Sequence, residues 1–173
     1  REQINMKNSR KKITVSIVII LIAALLGWRL LPHSFPSVIS TQASRATSLA
    51  CNVSTSYVSN VSPAIDTYVL QSTSDENDFK EIMKLLNSAS YRQDFRNLLP
   101  WSITTVGSES NCSANIMLVW GDTATESCFI SFQSESIVSV AAGTEGDFQI
   151  YHPTDRTVLG RLIDYVQLHG EQN

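Results

Sequence analysis

Residues Ile13–Leu31 form one apolar run in which Thr14 and Ser16 are the only polar side chains before the lone charge Arg29. A helix rising about 1.5 Å per residue needs on the order of 20 apolar residues to cross a bilayer core. The run is longer than the roughly 7–15 residues of a cleaved signal's apolar region, so it predicts an uncleaved transmembrane signal anchor over 13–31. Residues 1–12 then make a cytoplasmic stub. From 32 to 63 the chain is mainly Ser, Thr, Ala, Val and Asn with no acid, a composition that predicts a flexible stalk. The alternation Val53, Thr55, Tyr57, Ser59, Val61 fits a weak first strand as the other reading.

The pattern changes at Ala64, where a domain over 64–173 begins. Ile65 to Gln71 alternates as a strand. Ser72 to Asp75 offers caps for a helix whose apolar positions Phe79, Ile82, Met83, Leu85 and Leu86 recur at three and four. Phe95, Leu98 and Leu99 suggest a short helical turn. Trp101–Val106, Asn115–Trp120, Ser127–Phe132, Ser136–Ala142 and Phe148–Tyr151 read as strands, the second and third joined as a hairpin. Pro153-Thr154-Asp155 opens a last helix with the apolar face Val158, Leu159, Leu162, Ile163 and Val166. Strands at hairpin spacing predict an α+β fold: an antiparallel sheet of about five strands with two amphipathic helices on one face.

Charge divides the chain. Lys7, Arg10, Lys11 and Lys12 ahead of the run favour a cytoplasmic N-terminus and an extracytoplasmic domain at the cell membrane. Beyond residue 31 seven basic residues face fifteen acidic ones, near −8. That balance leaves no basic face for nucleic acid. The expected partners are the membrane through a single span and another envelope protein or a wall component. Ala23 and Gly27 have the spacing at which two helices approach closely.

Little in the chain carries chemistry. His33, His152 and His169 match no zinc spacing, and no cofactor or metal is expected. Asp66, Asp94, Glu109, His152 and Asp164 are the acids and bases at hand, but nothing in the sequence brings them together. Of the three cysteines, Cys51 with Cys112 is the leading disulfide pair, with Cys112–Cys128 and no bridge as alternatives. Cys128 shares a strand face with Ile130 and Phe132, as a buried thiol does. Tyr91, Arg92, Phe95, Arg96 and Trp101 concentrate aromatic and guanidinium groups around Pro100, the candidate contact surface. Asn52, Asn60 and Asn111 each begin a glycosylation pattern.

The helix DENDFKEIMKLLNSASY, the strand pair NIMLVWGDTATESCFISF and the closing helix after FQIYHPTD together resemble small membrane-tethered or lipoprotein domains of unknown function from Gram-positive bacteria. The likeness runs from about Ile65 to Leu168 and is architectural, so it implies no site residue. It favours an extracytoplasmic, non-enzymatic role. The expected function is thus a membrane-anchored binding or interaction domain. A cell-envelope enzyme, or a small subunit recruited to a membrane complex through its helix, stands as the alternative.

Overall fold

The computed structural model describes residues 2–39, 45–58, 63–98, 111–121, 126–142 and 148–173, with the backbone alone for 2–13, 29, 58, 63 and 142. The chain divides into two compact units, Arg1–Leu31 and Pro32–Asn173. The first is one helix, α1 (Glu2–Leu30). Its described side chains run from Thr14 to Trp28 apart from Leu30, and the large apolar ones are exposed. Among the described residues no helix is long and apolar enough to cross a membrane. The single-pass signal anchor read over 13–31, and the membrane assignment resting on it, are therefore not supported.

The second unit is an α+β domain whose order is β1 (Pro32–Ser34), α2 (Phe35–Val38), β2 (Ser48–Val58), β3 (Pro63–Thr73), α3 (Asn77–Asn87), β4 (Ser90–Gln93), a 3₁₀ turn (Phe95–Leu98), β5 (Cys112–Val119), β6 (Ser127–Ser134), β7 (Ile137–Ala142), β8 (Gln149–Pro153), α4 (Thr157–His169) and β9 (Glu171–Gln172). All pairings are antiparallel. The sheet has nine strands, ordered β1-β4-β8-β7-β6-β5-β2-β3-β9, rather than about five.

One correction comes from β2. The segment read as a flexible stalk contains an eleven-residue strand inside the sheet, paired with β3 and with β5. Leu49, Cys51 and Val53 point from it into the core, while Ser48, Ala50, Asn52 and Ser54 point the other way. The polar composition is that of one face only. In the hairpin of β5 and β6, Val119 lies opposite Ser127. The expected strand Trp101–Val106 lies outside the described residues.

Alternate residues of the central strands build the core. Ile116, Leu118, Cys128, Ile130, Phe132 and Val138 are fully buried. Helix α4 lies over β2, β3 and β5 with Val158, Leu159, Leu162, Ile163 and Val166 inward, and α3 packs beside it with Ile82 and Leu86. Polar clasps tie the two helices at both ends. The Tyr165 hydroxyl donates to Asp78 Oδ1 at 2.7 Å, and Arg161 donates to Ser88 Oγ at 2.9 Å and to Asp155 Oδ2 at 2.7 Å. Helix α3 starts at Asn77 without a cap from its own flank. The Ser72 hydroxyl, seven residues upstream on β3, accepts from the Phe79 amide at 3.1 Å and donates to Glu76 Oε2 at 2.8 Å. It serves an amide in the first turn that would otherwise lack a partner.

Candidate functional site

The cluster expected as a contact surface is dispersed. Tyr91 turns into the core, fully buried, where its hydroxyl donates to the Leu86 carbonyl at 3.0 Å and its ring lies 5.6 Å from that of Phe35. Arg92 is exposed on β4, Phe95 is 63% exposed on the 3₁₀ turn, and Trp101 lies outside the described residues. Arg96 is bound to Asp94 through both guanidinium and backbone.

That carboxylate is the point where an acid and a base meet. Asp94 is buried and accepts from Arg96 N at 2.8 Å, Arg96 Nε at 2.9 Å and Arg96 NH2 at 2.7 Å, while His152 Nε2 lies 2.8 Å from Oδ2. The Arg96 hydrogen bonds, aided by His152, hold its carboxyl well below the usual carboxylate range. The other ring nitrogen of His152, Nδ1, lies 2.7 Å from the Ser136 carbonyl. Both nitrogens thus face an acceptor of the fold itself, and neither is aimed at an open site where a nucleophile could sit. Beside it, β4 ends at Gln93 and the Asn97 amide continues its ladder. Asn97 Nδ2 donates to the Ile150 carbonyl at 2.7 Å and Oδ1 accepts from the Ile150 amide at 2.9 Å. The knot seals the end of a strand. Of the other acids considered, Asp66 is half-buried on β3, Asp164 is exposed on α4, and Glu109 lies outside the described residues.

A different feature stands out on the side of the sheet turned away from α3 and α4. Registered rows cross it from strand to strand. Gln71, Ala50, Met117, Phe129 and Ala141 form one row over β3, β2, β5, β6 and β7. Val69, Asn52, Asn115, Ser131 and Ser139 form the next, with Ser131 Oγ donating to Asn115 Oδ1 at 2.8 Å. Met117 is 44% and Phe129 37% exposed. Phe148 stands edge-on to Phe129 with ring centroids 6.2 Å apart. At one end of the face a cleft of about 380 Å³ opens between Ala50, Gln71, Ser72, Glu76, Met117 and Val119, with the Glu76 carboxylate on its wall.

None of the outward positions described from β3 to β7 is Asp, Glu, Lys, Arg or His. A solvated sheet face ordinarily carries charge, and this domain has plenty to place there. Single residues such as Met117 gave no signal in the sequence. The signal was the lack of charge at every second position of five strands, and it can be read only once the registers are known.

The cysteines form no disulfide. Cys51 lies opposite Ile116 and Cys112 opposite Thr55, four positions along the strand, about 14 Å apart. A bridge needs Cα atoms within about 7 Å, so the expected Cys51–Cys112 pair is ruled out. Cys128, opposite Leu118, is about 20 Å along the strand from Cys112. Burial pushes the Cys51 thiol up to about 12 and that of Cys128 up to about 11, so both are inert at neutral pH. Among the described residues no group of three or more His, Cys, Asp or Glu side chains could hold a metal ion. No family model, no curated protein and no solved structure matches the chain.

Proposed function

We propose that Pro32–Asn173 is a protein-interaction domain whose docking surface is the exposed part of that face over β3, β2, β5 and β6, centred on Met117 and Phe129; Ser139 and Ala141 on β7 are buried. The observation that carries this reading is the missing charge on a solvent-facing sheet in a domain near −8. Interface cores are depleted in Asp, Glu and Lys and enriched in Met and aromatic residues, as here. Large exposed apolar side chains grouped on one surface mark sites of association. An enzymatic reading lacks comparable support, because the Asp94–His152 pair turns both histidine nitrogens to acceptors of its own fold.

A photoreactive amino acid in place of Phe129, in the full chain expressed in its own cells, tests the proposal. A control chain carries it at Lys84 on the outer side of α3, which is exposed. Irradiation is expected to give a discrete covalent protein adduct from position 129 and none from position 84. Equal or absent adducts at the two positions would reject the interaction surface.

A further inference from the structure

Resting on that reading, we infer that the partner presents a lysine, whose side chain enters the cleft at the end of the face and sets its ammonium against the Glu76 carboxylate. Three observations converge on it. The first is the placing of charge. The described outward positions from β3 to β7 carry none, yet Glu76 stands on the wall of the cleft where that face ends. Its Oε2 accepts from the Thr73 amide and from the Ser72 hydroxyl, each at 2.8 Å. Those bonds hold the Glu76 carboxyl below its ordinary value and fix the anion in place. Among the described residues no cation pairs with it. Lys80, one turn along α3, donates instead to the Asp75 carbonyl at 2.9 Å.

The second is the chemistry of the cleft. Ala50, Met117 and Val119 supply an apolar lining within its volume of about 380 Å³. A lysine lays its methylene stem on apolar surface and carries its charge at the tip, which matches an apolar strip ending in an anion. The carboxylate also discriminates between the two basic side chains. Oε2 already holds two hydrogen bonds, and among the described residues only Oε1 has none. Arginine gains its advantage from parallel bonds to both oxygens of a carboxylate, which this site withholds. Lysine, a compact point charge, needs only one.

The third is the surface around the cleft. Ser139 and Ala141 on β7 are buried, so the exposed face spans four strands about 4.8 Å apart, a strip roughly 19 Å wide. That is room for a short segment of chain and an association of the transient kind. Met117 lines the cleft and Phe129 lies opposite it on β6, both exposed. Apolar neighbours of the lysine are covered there, a contact that a free amine lacks. The net charge near −8 draws a basic segment from a distance and repels an acidic one.

Three pools of nonapeptides with random uncharged flanks, centred on lysine, arginine or norleucine and offered to the immobilised full chain, test the inference. The lysine pool is expected to be retained about fivefold more than the norleucine pool, the upper scale of one exposed ion pair, and more than the arginine pool. Glu76→Gln, which keeps an acceptor for the Thr73 amide, should reduce lysine to the norleucine level. Ala50→Leu, which fills the cleft and leaves the carboxylate, should do the same. Asp164→Asn, on the exposed side of α4, removes an equal charge elsewhere and should change nothing. Lysine retained no better than arginine or norleucine, unchanged by Glu76→Gln or Ala50→Leu, or lost as far with Asp164→Asn would overturn the inference. The photo-adduct at Phe129 separates this failure from that of the reading beneath it. An adduct formed as well with Glu76→Gln as without it leaves the interaction surface standing and removes the lysine. No adduct from either chain removes both.

Discussion

The two faces of one sheet use the same strands in opposite ways. On the helix side Ile116, Leu118, Ile130, Phe132 and Val138 are sealed beneath α3 and α4. On the other side their neighbours Met117, Phe129 and Ser131 alternate with them, lightly apolar, uncharged and open across the middle of the sheet. Each face also has one exception. The helix side buries the polar Ser72, bonded to Phe79 and Glu76, and the open side becomes charged at β4 and β8, where Asp94 is buried under Arg96 and His152. The contrast teaches that removing charge and removing water are separate choices. The helix side does both, and the open side only the first.

The sharpest way to break the comparison is to truncate neighbouring residues on β6. Ile130→Ala should cost about 3–4 kcal/mol, since it leaves a cavity in a fully packed layer. Phe129→Ala, one position along and on the other face, should cost less than about 1 kcal/mol. Urea denaturation of both variants measures the gap, and equal losses would mean that the two faces are equally buried.

Asp94→Asn comes next, at about 2–3 kcal/mol, because it leaves the Arg96 guanidinium without its counter-charge in a half-enclosed site. Its pH dependence has a definite sign. The carboxyl is held below its ordinary value in the folded state, so its contribution is fully present above about pH 4 and falls away as pH drops through the folded value. Melting temperatures of the wild type and the variant should therefore differ most near neutrality and converge below about pH 4. A gap that holds constant to low pH would show that ionisation of Asp94 plays no part.

Ser72→Ala is the smallest, about 1 kcal/mol, the usual effect of losing a helix cap. It should lower stability while leaving the Phe129 photo-adduct in place, since the Thr73 amide still holds Glu76. Thermal melting and irradiation of the same chain read the two quantities separately.

How far the sequence told this in advance depended on contrast along the chain. Helices α3 and α4 were legible because their apolar residues recur at three and four between acidic and polar ones. Strands β5 and β6 were legible because a Gly-Asp-Thr turn separates two apolar runs. Strand β2 was not, because Ser, Thr and Asn on its open face outnumber Leu49, Cys51 and Val53 and give it the look of a linker. Strands β1, β4 and β9 have two to four residues each, too few to show a period. Asp94 and His152 stand 58 residues apart, with nothing local to link them. The expected aromatic cluster failed as a group because residues close in sequence alternate between faces, which sent Tyr91 inward and left Arg92 outside.

The clasps between α3 and α4 bear on the order in which the molecule assembles. Tyr165 meets Asp78 across 87 residues and Arg161 meets Ser88 across 73, with five strands laid down between. Contacts that close such long stretches of chain come late, after the pairings that shorten the path between their ends. The helical layer is expected to latch after most of the sheet has formed, so that the latch governs departure more than arrival. Tyr165→Phe should speed unfolding while the folding limb of its chevron stays in place. The native state would then be held by a hydroxyl that took no part in finding it.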